Sequence, residues 1–269
     1  MQIHWGVATD AGGRRQANED AVLADPPVFA VADGMGGHAR GDMASRYAVA
    51  ELTALTRIDH PVGPDDVVAA LRRAGDRIRE AMAGEDAVAG TTVAGAVLTE
   101  QDGEPFWLVF NVGDSRVYRC TQQDIEQVSV DHSLVQEMVD LGTISAAEAR
   151  RHPQRNVITR AVGTGPVPEI DFWMLRAGGS EQLVLCSDGL FGELSDAEIG
   201  EVVAAAGHPQ EAAATLLDRA VQGGGANDNV SVVVVAARHE DGDVESTERR
   251  AQGEEHGSTL PRAEAGAGR

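Results

Sequence analysis

Residues 92–130 read TVAGAVLTEQDGEPFWLVFNVGDSRVYRCTQQDIEQVSV. Four strand-like runs stand in series there, at 92–98, 106–112, 116–120 and 125–130, with only turn-forming residues between them. Parallel strands need a crossover of about a dozen residues or more, whereas antiparallel strands need only a turn. The segment therefore predicts antiparallel pairing with no helix inserted. Upstream of it, two helical periodicities follow one another. Residues 41–56 place Met43, Tyr47, Val49, Ala50 and Leu55 as an apolar stripe. Pro64 opens a second run, in which Val67, Val68, Leu71, Ala74, Ile78 and Met82 recur at helical spacing with Arg on the other face. Before these, 3–9, 21–23 and 28–32 read as strands. Downstream, 134–141 and 145–151 read as short helices around Gly142, and 170–175 and 181–187 as strands. Ser195 with Glu198 forms a helix-start box leading into 199–206, and Pro209 opens the next helix, to about Val221. The last strand, 230–237, is apolar without a break at 232–237, which predicts a central strand covered on both faces. Helix pairs set apart from a strand series predict a layered α+β architecture, helices outside sheets. There is no internal repeat.

Composition narrows the function. The chain has 269 residues and a formal net charge of −21. Such an acid excess argues against nucleic acid or an anionic membrane as partner, since both need clustered cations. All 22 basic residues are Arg, and there is no Lys. That excludes a phosphate-binding loop of the GxxxxGK[ST] type, a Schiff-base or PLP lysine, an SxxK nucleophile and a kinase-type ATP-site lysine. An all-Arg set is also what a GC-rich coding sequence produces. With 4% aromatic residues the core must be mostly Ala, Val and Leu, and Trp5, Trp107 and Trp173 are expected to pack in it or against a sheet. Cys120 and Cys186 suggest reduced, buried thiols rather than a disulfide framework. The start MQIHWGVATD lacks the basic and long apolar stretches of a signal peptide, and no apolar run approaches the ~20 residues of a membrane span. A cytoplasmic protein, acting as a monomer, is the expectation. Residues 239–269 carry a net charge of −4 and only Val244 and Leu260 as sizeable aliphatics. They cannot bury enough apolar surface to offset ordering entropy and are expected to form a disordered acidic tail, or else the start of a linker.

The chemistry lies in where the acids fall. Asp33 follows the apolar run of VFAVADGMGGH (28–38), Asp114 that of FNVGDSR (110–116) and Asp188 that of LVLCSDGL (183–190). Asp228 precedes the last strand in GGANDNVSVVVV (224–235), and Glu19 and Asp20 close ANED (17–20). Each sits at a strand end, usually beside Gly, which lets backbone approach an ion or phosphate closely. Carboxylates that converge repel one another unless a cation is present, and an all-oxygen set suits Mg²⁺ or Mn²⁺ rather than zinc. Two such ions about 4 Å apart can activate a shared water and clamp a phosphoryl group. A single D-G pair is more often only a turn.

The order RxxNED (15–20), VADGMGGH (31–38), GTT (90–92), NVGDSR (111–116), SDGL (187–190) and NDN (227–229) resembles the PPM (type 2C) family of metal-dependent Ser/Thr protein phosphatases, its bacterial members above all. The match runs from about residue 6 to 238. The resemblance implies an αββα sandwich, with two antiparallel β-sheets flanked by helix pairs and a metal centre at one end, over a domain spanning 1–238. It implies a flap subdomain at about 134–164. Position by position, it implies that Asp33 bridges two Mn²⁺ or Mg²⁺ ions, that Gly34 lends a carbonyl, and that Asp188 and Asp228 are further ligands. Glu19 would hold a metal through water, Asp20 would support the water network, and Asn229 would orient the last ligand. Asp114, with Asp188, matches a third, weaker metal site, although a turn cap explains it too. Arg15 matches the phosphate-gripping arginine, and Arg14 reads as a solvated turn charge. The implied reaction is attack by a metal-bridging water or hydroxide on a phosphoserine or phosphothreonine monoester, without a phosphoenzyme. Phosphoprotein substrates of a Ser/Thr kinase follow from the same resemblance.

Eukaryotic members place a His further upstream or directly in the metal-site loop. Here Met35 follows the D-G pair and His38 sits three residues later, so His38 is open between protonation and loop packing. In the flap, Arg160 is the candidate for a structural or substrate role, while Arg150 and Arg151 read as solvated charges. His132 reads as a packed turn histidine. A regulatory module that kept the fold without the chemistry, and a phosphatase of small phosphate esters, are the competing readings.

Overall fold

The computed structural model of the chain describes residues 1–36, 40–165, 169–222 and 226–238. The expected tail at 239–269 and His38 lie outside the described residues. In chain order the elements are β1 (Gln2–Asp10), β2 (Ala21–Asp25), β3 (Val28–Ala32), β4 (Gly34–Met35), α1 (Arg40–Thr53), α2 (Pro64–Ala81), β5 (Gly90–Thr91), β6 (Val93–Gln101), β7 (Glu104–Val112), β8 (Arg116–Cys120) and β9 (Ile125–Gln127). Then follow α3 (Leu134–Asp140), α4 (Ala146–Ala149), β10 (Asp171–Arg176), β11 (Gln182–Cys186), α5 (Asp188–Phe191), α6 (Asp196–Ala205), α7 (Pro209–Val221) and β12 (Val230–Arg238).

Two five-stranded antiparallel sheets result, ordered β1-β12-β11-β8-β9 and β10-β7-β6-β3-β2. Their inner faces meet through Phe29, Val31, Trp107, Val109, Leu183, Leu185, Val233 and Val235. The alternate residues of the same strands face helices. Val28, Ala30 and Ala32 of β3 pack with α1 and α2, and Val232 and Val234 of β12 pack with α6 and α7. This is the expected αββα sandwich. Period-2 alternation sorts the two faces of each strand, but both faces are covered, so β3 and residues 232–237 of β12 are apolar without a break. β12 is flanked by a strand on each side, and only Arg238 at its end is exposed.

Helix starts follow the sequence closely. The Gly63 N–H donates to the Asp66 carboxylate at 2.8 Å ahead of Pro64. Ser195 and Glu198 form the reciprocal capping pair, worth about 1 kcal/mol. At the sheet edge Gln210 of α7 donates to the Val7 carbonyl and accepts from its N–H, both at 3.0 Å. That satisfies outward-facing backbone groups of an edge strand, which otherwise invite pairing with another chain.

Two expectations are corrected. The strand expected over 125–130 stops at Gln127, because the N–H groups of Val128 and Ser129 both reach the Val117 carbonyl, a bulge that ends regular pairing. Helix 41–56 gives way to a 3-10 turn at Ala54–Arg57, which turns Leu55 into the core. Trp5 takes the sheet-packing alternative, 39% exposed on edge strand β1 with its ring tilted against Phe29. Arg150 stays largely solvent-exposed and reaches Asp196 at 3.2 Å.

Candidate metal centre

One end of the sandwich collects the acids. β3 ends at Asp33, the β7–β8 turn carries Asp114, β11 runs into Asp188 at the first turn of α5, and Asp228 lies two residues before β12. The β1–β2 connection brings Arg15, Glu19 and Asp20 to the same end.

Hydroxyls lock these chain ends to one another. Thr92 Oγ1 accepts from the Asp33 N–H at 3.2 Å and lies 2.6 Å from Ser115 Oγ, which joins the Asp33 and Asp114 turns. The Thr92 N–H and Thr91 Oγ1 both donate to the Asp33 carbonyl at 2.9 Å. Ser187 Oγ donates to Asp20 Oδ2 at 2.8 Å and accepts from the Ser231 N–H at 3.0 Å. Ser45 Oγ donates to the Glu19 carbonyl at 2.6 Å. Sequence reasoning gave these hydroxyls no role, although Ser115 and Ser187 stand directly beside Asp114 and Asp188, and Ser231 lies three residues after Asp228. Gly34 pairs with Thr91, and a Cβ there would meet the Gly41 carbonyl oxygen at 2.1 Å. No side chain fits between these backbones.

The electrostatics record the crowding. Burial, then the charges of Asp20, Asp188, Asp114 and Asp228, push the Asp33 carboxyl well above the usual range. Burial and Asp228 push Asp188 up to about 6. Burial and Asp188 push Asp114 up to about 7. Asp20 rises to about 6, mainly by burial, against the hydrogen bonds of Ser231 and Ser187. Arg15 Nη2 meets Asp228 Oδ2 at 2.6 Å, and that bond leads the effects that raise its own pKa.

The sequence-predicted residues thus divide. Asp33, Asp188, Asp228, Asp114, Asp20 and Arg15 form one electrostatic group, with Gly34 adjoining it. Glu19 joins through its backbone, since its N–H donates to Asn229 Oδ1 at 2.9 Å. Asn229 does touch Asp228, but through its own N–H, at 2.9 Å to Oδ1. Its side chain instead pins the loop bearing Arg15 and Glu19, donating to the Ala11 and Ala17 carbonyls at 2.9 and 3.0 Å. Arg160 stands apart from the group, paired with Asp171 at 3.1 Å and Glu169 at 3.6 Å.

As the side chains stand, no three His, Cys, Asp or Glu among the described residues are arranged to enclose an ion. The donor set nevertheless fits a hard dication. It is all oxygen, it is mutually repulsive, and Asp20 Oδ1 and Asp188 Oδ1 are buried with no hydrogen-bond partner. Unpaired buried carboxylate oxygens are costly without a cation.

Residues 12–222 match the family model described as protein phosphatase 2C. The Ser/Thr protein phosphatase PstP of Mycobacterium tuberculosis is 37% identical over 246 residues, covering 87% of this chain, and the chain spans 45% of that relative's length. The Ser/Thr phosphatase stp of Listeria monocytogenes is 32% identical, with 87% of this chain and 95% of the relative covered. Among solved structures, the M. tuberculosis Ser/Thr phosphatase PstP/Ppp superposes with a TM-score of 0.79 at 35% identity, over 88% of this chain and 99% of that one. The PstP catalytic domain in complex with two manganese ions gives a TM-score of 0.77 at 33% identity, again over 88% and 99%.

Proposed function

The chain belongs to the protein phosphatase 2C family, and from that premise we propose that it hydrolyses phosphoserine and phosphothreonine monoesters on proteins, using divalent cations held at the sheet-end carboxylates. The observation that carries this is the convergence of Asp33, Asp188 and Asp114, each carboxyl pushed up first by burial and then by a neighbouring carboxylate, beside the unpartnered oxygens of Asp20 and Asp188. Anions are assembled there at a cost that only a bound cation offsets.

In this reading Asp33, Asp188 and Asp228 and the Gly34 carbonyl would hold two cations, Asp33 serving both, and Glu19 would hold a metal through water. Asp20 keeps the water network in place, fixed by Ser187. Asp114 with Asp188 takes a third, weaker cation. Such cations, Mn²⁺ or Mg²⁺, supply Lewis-acid activation of water and neutralise phosphoryl charge. Arg15 is half exposed and now grips Asp228. Its guanidinium is planar and bidentate, so it can exchange that carboxylate for two phosphoryl oxygens. Asn229 sets where it reaches by holding its loop. Neither cysteine is needed as a nucleophile, and burial pushes the Cys120 thiol up to about 12, far from thiolate formation. The phosphatase unit spans 1–238, with 134–164 as its flap beside the site. Phosphoproteins made by a Ser/Thr kinase are the substrates, and a cytoplasmic monomer is the acting form. Among the described residues no helix is long and apolar enough to cross a membrane.

The test is phosphate release from a phosphothreonine peptide with Mn²⁺. Loss of turnover in Asp33→Ala and on adding EDTA is the expected result. Activity that survives EDTA contradicts the mechanism.

A further inference from the structure

His132 plays no part in the reading above, yet its ring is 6% exposed and joins three chain segments. Nδ1 accepts the Gly113 N–H at 3.1 Å. A backbone N–H can only donate, so the neutral ring carries its proton on Nε2. Nε2 lies 3.2 Å from Asp171 Oδ2 at the start of β10 and 3.3 Å from Arg160 Nη1. Arginine has no acceptor, so Asp171 takes the Nε2 proton, and Arg160 donates to the other Asp171 oxygen at 3.1 Å. The His132 backbone repeats the connection. Its N–H donates to the Gly113 carbonyl at 2.9 Å, and its carbonyl accepts the Thr159 N–H at 2.8 Å.

The turn held in this way is the one that presents Asp114. Gly113 has φ +103°, and a Cβ there would lie 2.6 Å from Thr92. A left-handed turn pressed against Thr92 needs its N–H and carbonyl fixed from outside, and His132 fixes both. A histidine that only filled space would not need an acceptor at Nδ1. Burial keeps the ring below its usual pKa against the pull of Asp171, with the Arg160 charge adding to the effect, so Nδ1 stays free to accept.

We propose that His132 is a positioning residue for the Gly113–Asp114 turn, and that the Asp171–His132–Gly113 chain couples the direction of the Asp114 carboxylate to Thr159, Arg160 and Asp171. This rests on the reading of Asp114 as a cation ligand.

The test is calorimetric titration of the full chain with Mn²⁺, with circular dichroism as a folding control, on His132→Phe, His132→Asn, Asp171→Asn and Asp114→Ala. Removing a hydrogen bond that orients a ligand typically weakens metal affinity about 10–100-fold. The weakest Mn²⁺ step should therefore fall by about 10-fold or more in His132→Phe. It should stay within about 3-fold of the parent in His132→Asn, which keeps an acceptor facing Gly113, and the tighter steps should hardly move. Should the Phe variant not fold, Asp171→Asn decides, with a weakened last step expected and an unchanged one overturning the proposal. An unchanged titration in folded His132→Phe, or an Asn variant as impaired as the Phe one, also overturns it. If Asp114→Ala itself titrates like the parent, the ligand reading of Asp114 fails. If Asp114→Ala loses the weak step and folded His132→Phe keeps it, only the positioning proposal fails.

Discussion

The same strands build two opposite environments. Midway along, β3, β11 and β12 contribute Phe29, Val31, Leu183, Leu185, Val233 and Val235 to a dry layer in which every one of these side chains is fully buried. At about 1.5–3 kcal/mol per fully buried side chain, that layer contributes to stability alongside the two sheet–helix cores. A few residues away, the same strands deliver Asp33, Asp188 and Asp228 to one point, where burial and neighbouring carboxylates push Asp33 and Asp188 up. The contrast shows a scaffold whose interior stabilises it while one end is held in an arrangement that opposes folding until a cation arrives. Stability and function are separated by only a few residues along each strand.

The largest stability effect should come from breaking the dry half. Leu183→Ala, in the inter-sheet layer, should lose about 3 kcal/mol in chemical denaturation and leave turnover per folded molecule unchanged. An equal loss of turnover would mean that the two regions are not separable.

The charged half should respond in the opposite sense. Asp188 and Asp20 are raised to about 6 and Asp114 to about 7. An acid whose folded pKa lies above its unfolded value stabilises the fold below the unfolded value and loses that contribution as pH rises through the folded one. Metal-free protein in EDTA should therefore be less stable at about pH 8 than at about pH 5, by on the order of 2 kcal/mol, because the carboxylates share one cluster and their shifts do not add. Saturating Mn²⁺ should remove most of that slope. Urea unfolding at the two pH values, with and without the ion, checks this. Asp188→Asn should flatten the slope too, stabilising the metal-free protein while abolishing turnover.

The smallest effect belongs to the surface between these regions. Arg150 of the 134–164 segment meets Asp196 at the start of α6 with its side chain 65% exposed. Arg150→Ala should change stability by no more than about 0.5 kcal/mol, read as an unfolding midpoint within error of the parent.

Much of this was legible in the sequence. Turn-only separation over 92–130 dictated antiparallel pairing, Pro64, Pro209 and the Ser195/Glu198 pair marked helix starts, and acids at strand ends located the site. Strand order was not legible. β1 pairs with β12 at the far end of the chain, and with helices on one face and a sheet on the other, an all-valine run such as 232–235 carries no alternation to reveal which residue faces which layer. The two-residue pair β4–β5 and the single-turn α5 are too short to show a period. Within the site, residue types predicted the acids, because several strand-end carboxylates beside Gly in one chain are harder to explain as turns than any one of them. The clamp by Asn229 and the triple engagement of His132 depend on partners up to 218 and 39 residues away, and no local pattern encodes them.

The central claim is that the sheet-end carboxylates form a divalent-cation centre. Anomalous diffraction from crystals grown with Mn²⁺ tests it most directly. The account predicts at least two manganese peaks, shared among Asp33, Asp188 and Asp228, with Arg15 released from Asp228. Fewer than two peaks there in a protein that still turns over phosphothreonine peptide would contradict it.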